Sequence, residues 1–134
     1  MLFQSKFAVM GKSLDLHQER LGVIANNIAN SDTPGYHAKR LEFDDALRQA
    51  FDGGDGKLTP VRTHPEHLGN ATSVDNVQPT VREVVQGGRV DGNTVNTQQE
   101  LERMGETRLV YQMVTQLAGS RAKGLQYAID KGGR

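Results

Sequence analysis

The chain has no cysteine and no tryptophan, and only 5% of its 134 residues are aromatic. Absence of cysteine excludes a disulfide framework and a thiolate metal centre. With 36% apolar residues and so few rings, there is little material for a large compact core. Sixteen basic residues balance sixteen acidic ones, and no block of like charge occurs. That balance argues against a nucleic-acid or anionic-membrane partner. Long apolar runs are missing too. Near the N-terminus the longest is Phe7 to Met10, well short of the ~7–15 residues of a secretory signal core and the ~20 of a membrane span. On these grounds alone the expected compartment is the cytoplasm.

What the chain does have is helical periodicity at both ends. Apolar side chains recur at Phe3, Phe7, Met10, Leu14, Leu21, Ile24 and Ile28, with His17 filling the one gap. The steps alternate four and three, the spacing of a heptad seam rather than of an ordinary surface helix. A helix over residues 3–30 would be about 42 Å long. Ordering its backbone costs about 1–2 kcal/mol per residue, which an unpartnered seam does not offset, so this helix is expected to be firm only against another helix.

The seam closes on an asparagine cluster, Ala25-Asn26-Asn27-Ile28-Ala29-Asn30, followed by Ser31-Asp32-Thr33-Pro34-Gly35-Tyr36. Asn30 suits a helix C-terminus and the Pro-Gly pair a turn. Asn26 and Asn27 lie too early to be explained by the end of the helix. Buried or semi-buried amides that fix register against a partner helix account for them better.

A second helix is expected from Val95 to Ile129, about 50 Å long if continuous. Thr97 suits its N-cap, with Glu100 completing a capping box. Leu101, Met104, Tyr111, Ala118, Ala122, Leu125 and Ile129 keep heptad spacing, while Leu109, Val110, Met113, Val114 and Leu117 widen the apolar surface. A helix apolar on more than one side needs neighbours on more than one side. Gly105, Gly119 and Gly124 leave open either local fraying or close helix–helix approach.

Between the helices, Pro34, Pro60, Pro65 and Pro79 and a series of glycines exclude any long helix. One short helix is expected from Glu42 to Phe51, with Phe43, Leu47 and Phe51 on one face. Asp52-Gly53-Gly54-Asp55-Gly56 reads as a loop tip. Thr80 to Val85, with Gly87-Gly88 and Val90, reads as a small β-hairpin. The expected fold is therefore mainly α. Long N- and C-terminal amphipathic helices form a coiled coil and are joined by a Gly/Pro-rich loop region with a short helix and a small β-hairpin. The segments are 1–32, 33–94 and 95–134.

No motif carries chemistry. In His64-Pro65-Glu66-His67 the proline breaks the helix that paired metal ligands would need. Asp52 to Gly56 lacks the ligand spacing and closing glutamate of a calcium loop. There is no phosphate loop, nucleophile elbow or triad. The expectation is no enzyme activity, no cofactor, no metal and no small-molecule substrate.

The stretch Leu21 to Tyr36 resembles the N-terminal signature of the bacterial flagellar axial proteins, the rod and hook subunits. In that family an amphipathic helix ends in an Ala-Asn-Asn-Ile-Ala-Asn box followed by Thr-x-Gly-Tyr. Here Ala25, Asn26, Asn27, Ile28, Ala29 and Asn30 stand in the box, and Thr33, Gly35 and Tyr36, with Pro34 between, stand in the turn. Asp91-Gly92-Asn93-Thr94-Val95 and Tyr111-Gln112-Met113 resemble the C-terminal part of the short proximal-rod branch. The resemblance covers about residues 1–45 and 88–131.

It implies a structural subunit of the proximal rod of the flagellar basal body, joining the membrane ring to the distal rod and hook and passing torque outward. Implied partners are copies of itself, other flagellar rod proteins, the membrane-ring/rod junction protein and the flagellar type III export apparatus. Export without a cleaved signal peptide then overrides the cytoplasmic expectation. The subunit interface would use Phe3, Phe7, Met10, Leu14, Leu21, Ile24 and Ile28 against Leu101, Met104, Tyr111, Leu125 and Ile129 of neighbours. The asparagine box and the turn would lock register between subunits. Other readings are another proximal-rod subunit of the same family, or a soluble coiled-coil adaptor linked to flagellar export. Leu21→Asp or Ile24→Asp is expected to abolish motility with the chain still expressed.

Overall fold

The computed structural model describes residues 2–53 and 77–132. Its elements, in order, are α1 (Leu2–Ala29), β1 (Lys39–Glu42), α2 (Asp44–Gly53), β2 (Thr80–Glu83) and α3 (Thr97–Gly132). The fold is mainly helical with one small antiparallel sheet. The side chain of Phe3 lies outside the described residues, as do the loop tip beyond Gly53 and the His64–His67 stretch.

The two terminal helices pack on each other more extensively than any other pair of elements. The C-terminal turn of α1 meets the first turn of α3 at Asn27 and Glu100, so the helices run antiparallel as a hairpin. Only seven α3 residues escape full exposure: Glu100, Met104, Thr107, Tyr111, Val114, Ala118 and Arg121. They repeat in steps of four and three, one continuous strip on the face towards α1. On α1 the matching strip has Met10, His17 and Ile24 buried and Leu14, Leu21 and Ile28 half-buried. The heptad partner for α1 is thus, along this length, α3 of the same chain.

An adjacent strip of α1 serves a second purpose. Leu16, with Val23 beside it, packs into a small apolar cluster with Leu41, Phe43, Ala50 and Val77, flanked by Ala46 and Leu47. Asp44 and Asp45 stand in the first turn of α2, where they complement the helix dipole. Of the expected face of this short helix, Phe43 is buried, Leu47 is partly buried and Phe51 is 43% exposed. Ala50 takes the buried place instead: Phe43 precedes α2, and within the helix Ala46, Leu47 and Ala50 share the packed face, one position round from Phe51.

The sheet corrects the expected hairpin. Thr80–Glu83 does not fold back across Gly87-Gly88; it pairs antiparallel with β1, with Lys39 opposite Glu83 and Glu42 opposite Thr80. β-branched residues supplied a strand, but the pairing partner came from a distant segment. Gly87-Gly88 instead lies in the approach to α3, where Arg89 N donates to Asn93 O at 2.8 Å.

Candidate polar clamp and apolar flank

Every α-helix ends with carbonyls that lack intrahelical partners. Here the chain closes that end of α1 with its own asparagine and with a second one from far along the sequence. Asn30 N donates to Asn26 O and Asn27 O, both at 3.1 Å, and Asn30 Nδ2 donates again to Asn26 O at 2.8 Å. Asn93, fully buried, then directs its Nδ2 at Asn30 O (2.9 Å), Ser31 O (3.0 Å) and Thr33 O (2.8 Å). One amide group thus divides two hydrogens among three carbonyls. The Arg89 guanidinium adds a bond to Ser31 O.

The loop carrying Asn93 is shaped for this approach. Gly35 and Gly92 have φ of 70° and 78°, a left-handed conformation that disfavours any Cβ. The two glycines stand against each other, since a Cβ on Gly92 would lie 3.5 Å from Gly35 Cα. Gly35 N donates to Asp91 O at 2.9 Å and Thr94 N to Tyr36 O at 3.0 Å. Asn93 Oδ1 accepts from Val95 N at 2.7 Å, and Thr94 Oγ1 accepts from Ala38 N at 2.8 Å.

One turn back along α1, Asn27 is fully buried and all of its polar capacity is used. Its Oδ1 accepts from Lys39 N at 2.9 Å and from the Tyr36 hydroxyl at 3.3 Å. Its Nδ2 donates to Lys39 O at 2.8 Å and to Glu100 Oε2 at 2.9 Å. Against Lys39 the amide behaves as a neighbouring strand would, answering both backbone groups. Glu100 is itself fully buried, and its other oxygen receives Arg40 Nη1 at 2.9 Å. A buried carboxylate is tolerable only with such partners.

The expected capping box is therefore corrected. Asn96, not Thr97, caps α3: its Oδ1 accepts from Gln99 N at 3.2 Å. Glu100 turns inward because Asn27 and Arg40 offer it charge-assisted bonds that its own helix end does not. Its position was detectable: stepping back four residues from Met104 on the seam lands on this charge.

Beside the clamp, Arg20 lies over the Phe43 ring at 4.0 Å, donates to Leu41 O and pairs with Asp44 at 2.6 Å. His17 meets Phe43 edge-on at 5.1 Å between ring centres, and its Nδ1 is buried without a partner. Burial lowers the His17 pKa from its usual 6.5; nearby Arg20 lowers it further and Asp44 opposes the change. A cleft of about 220 Å³ between α1, β1 and α3 is lined by Arg20, Lys39, Arg40 and Arg103 together with Glu42, Asp44 and Glu106. Charges of both signs are interspersed there, and Arg20 and Arg40 are already paired with Asp44 and Glu100. Among the described residues no group of three or more His, Asp or Glu is placed to hold a metal, and no helix is long and apolar enough to cross a membrane.

The family-motif residues divide sharply. Asn27, Asn93 and Val95 are buried, while Ile28, Asn30 and Tyr36 are half-buried. Ala25, Asn26, Ala29, Thr33, Pro34, Gly35, Asp91 and Gly92 are exposed. Of the interface residues, Met10 and Ile24 are buried in the hairpin. Leu14, Leu21, Ile28, Met104 and Tyr111 are half-buried, whereas Phe7, Leu101, Leu125 and Ile129 are 43%, 52%, 40% and 72% exposed. Arg40, Glu100 and Thr94 belong to the clamp; sequence reasoning missed Arg40, read Glu100 only as a capping-box residue and Thr94 only within the family motif.

A helical hairpin with a polar lock at its closed end and a bare apolar flank on α3 is the class that this fold defines. A family model described as flagella basal body rod protein matches residues 13–37. Flagellar basal body rod protein FlgB of Salmonella typhimurium is 30% identical over 128 residues, 90% of each chain. FlgB of Aeromonas hydrophila is 31% identical over 128 residues, 95% of this chain and 94% of that one. FlgB of Escherichia coli is 27% identical over 124 residues, 90% of each. The chain belongs to the FlgB-type flagellar basal body rod proteins.

Proposed function

We propose that this chain is a structural subunit of the proximal rod, built into the wall through its terminal helices and passing torque from the membrane ring towards the distal rod and hook. The observation that carries this reading is the outer face of α3. Val110, Met113 and Leu117 fall at heptad spacing on a face turned from α1, and are 39%, 60% and 48% exposed. Leu109 lies beside them at 59%. Such a stripe on a soluble surface is costly unless another helix covers it. Neighbouring subunits and other rod proteins supply that cover.

Leu101, Leu125 and Ile129 extend the contact along α3, and Phe7 extends it on α1. Met10, Leu14, Leu21, Ile24, Ile28, Met104 and Tyr111 contribute mainly by holding the hairpin that presents these residues. Many such seams in parallel share shear without a single hinge. The chain reaches the rod through the flagellar type III export apparatus, without a cleaved signal peptide, and meets the membrane-ring/rod junction protein at its base.

The absence of native cysteine gives a clean test. Met113→Cys and Leu125→Cys are introduced, intact basal bodies are purified, and oxidative crosslinks are identified by mass spectrometry. Crosslinks between copies or to other rod proteins support the reading. A chain absent from basal bodies, or present without crosslinks, favours the soluble adaptor instead.

A further inference from the structure

Heptad seams carry an ambiguity that apolar contact alone does not remove. The α3 strip repeats in steps of four and three from Glu100 to Arg121, and the α1 strip does the same from Met10 to Ile28. Sliding one helix along the other by seven residues, about 10 Å, keeps strip facing strip: Ile24 passes from Met104 to Tyr111 and Leu21 from Thr107 to Val114, while Leu14 comes to face Arg121 in place of Val114. We propose that Asn27, Glu100 and Asn93 determine the register of the hairpin, selecting one of the alignments that the repeating strips of α1 and α3 allow.

The buried polar bonds are specific where the strips are repetitive. In the observed alignment Glu100 Oε2 receives Asn27 Nδ2 at 2.9 Å. One heptad along, Asn27 would face Thr107 or would lose its α3 partner, and Glu100 would be buried away from its donor. Each buried polar group left without a partner lowers the population of a slipped alignment about 5- to 150-fold. Asn93 reads a different landmark. The carbonyls it binds, those of Asn30, Ser31 and Thr33, occur only where α1 ends. Because α3 starts four residues later, at Thr97, capping α1 also fixes where α3 begins. A polar residue in an otherwise apolar seam sets register at a cost in stability, and apolar replacement of a buried ion pair is often neutral or stabilising. The inference concerns the single chain and goes beyond its role as a subunit.

The test uses disulfide reporters in the purified full chain. The Asn27–Glu100 contact sets Ile24 level with Arg103 and Met104, and a slip of one heptad sets it level with Tyr111. Ile24→Cys is combined either with Met104→Cys or with Tyr111→Cys. Each pair is placed in the native background and in an unlocked one carrying Asn27→Leu, Glu100→Leu and Asn93→Ala. The native chain is expected to oxidise at the Met104 pair. The unlocked chain is expected to stay helical while crosslinking at the Tyr111 pair rises about 5-fold or more. A folded unlocked chain that crosslinks only at the Met104 pair overturns the proposal. So does one that fails to fold, because the apolar strips are held to suffice for pairing. A second variant moves the carboxylate: Glu100→Leu with Thr107→Glu, in the Asn93→Ala background, is expected to transfer the crosslink to the Tyr111 pair. Retention at Met104 in that chain also overturns it.

Discussion

At the closed end of the hairpin, Asn27, Asn93 and Glu100 are fully buried and each of their side-chain polar atoms has a partner within the chain. Along the outer flank of α3 the opposite holds, with Met113, Tyr127 and Ile129 between 60% and 72% exposed and no other element among the described residues covering them. Glu100 and the flank lie on the same helix, yet one region is finished by folding and the other is not. Directional bonds inside the chain fix the shape of the subunit; non-directional apolar surface is left for contacts from outside. The two regions therefore predict separate consequences when each is damaged.

The sharpest break at the closed end is Arg40→Ala. It removes the cation paired with Glu100 and leaves a fully buried carboxylate. Removing one partner of a buried ion pair costs about 3–5 kcal/mol, although the 20% exposure of the Arg40 side chain lets water soften the loss. The expected outcome is a clear drop in the urea midpoint of the isolated chain. An unchanged midpoint would mean that the clamp holds nothing together.

Periodicity made the packed strip of α1 legible but assigned it to α3 of neighbouring subunits, whereas α1 packs on α3 of its own chain; the clamp it left dark. Steps of four and three at Met10, Leu14, His17, Leu21, Ile24 and Ile28 marked the strip that α1 buries, although the same spacing also named Phe7, which is 43% exposed. The same reasoning expected both Asn26 and Asn27 to be buried or semi-buried; Asn27 is fully buried, whereas Asn26 is exposed and only its backbone carbonyl is engaged, by Asn30. Glu100 was assigned to a capping box because the local pattern fitted, and a distant pair of donors outcompeted it. Pairing of Thr80–Glu83 with Lys39–Glu42 depends on contacts some forty residues apart in sequence, which local turn signals do not carry. Asn93 was placed only by family resemblance; that one amide would cap a helix sixty residues upstream lay beyond any spacing rule.

A smaller effect tests the packing of α1 against the β1–α2 unit. Burial and Arg20 hold the His17 pKa below 6.5 in the folded chain, so the native state binds fewer protons than the unfolded one as acid is added. The stability contribution of neutral His17 is present above pH 6.5 and is lost as pH falls from there through the lowered folded value. His17→Phe keeps the ring against Phe43 and removes the titration. Urea midpoints measured down the acid side are expected to fall more steeply in the native chain than in this variant. Equal slopes would show that the unpartnered imidazole is not the source. NMR titration of the His17 ring checks the direction independently.

The smallest expected effect on the isolated chain separates the two regions best. Ile24→Asp cannot do so: Ile24 is 5% exposed, and a charge there breaks the hairpin before any assembly is asked of it. Met113→Asp and Leu117→Asp stand on the bare flank, at 60% and 48% exposure, where surface substitutions usually change stability by no more than about 0.5 kcal/mol. Their urea midpoints and helical content should match the native chain. In cells the same changes should stop swimming and leave the chain out of purified basal bodies, because a carboxylate in a covered apolar seam has no partner. A swimming strain with either variant would show that the flank is bare in the rod as well. Lost stability in the purified chain would show that the flank packs within the subunit. Native stability with lost motility is the pattern that requires a partner from outside the chain.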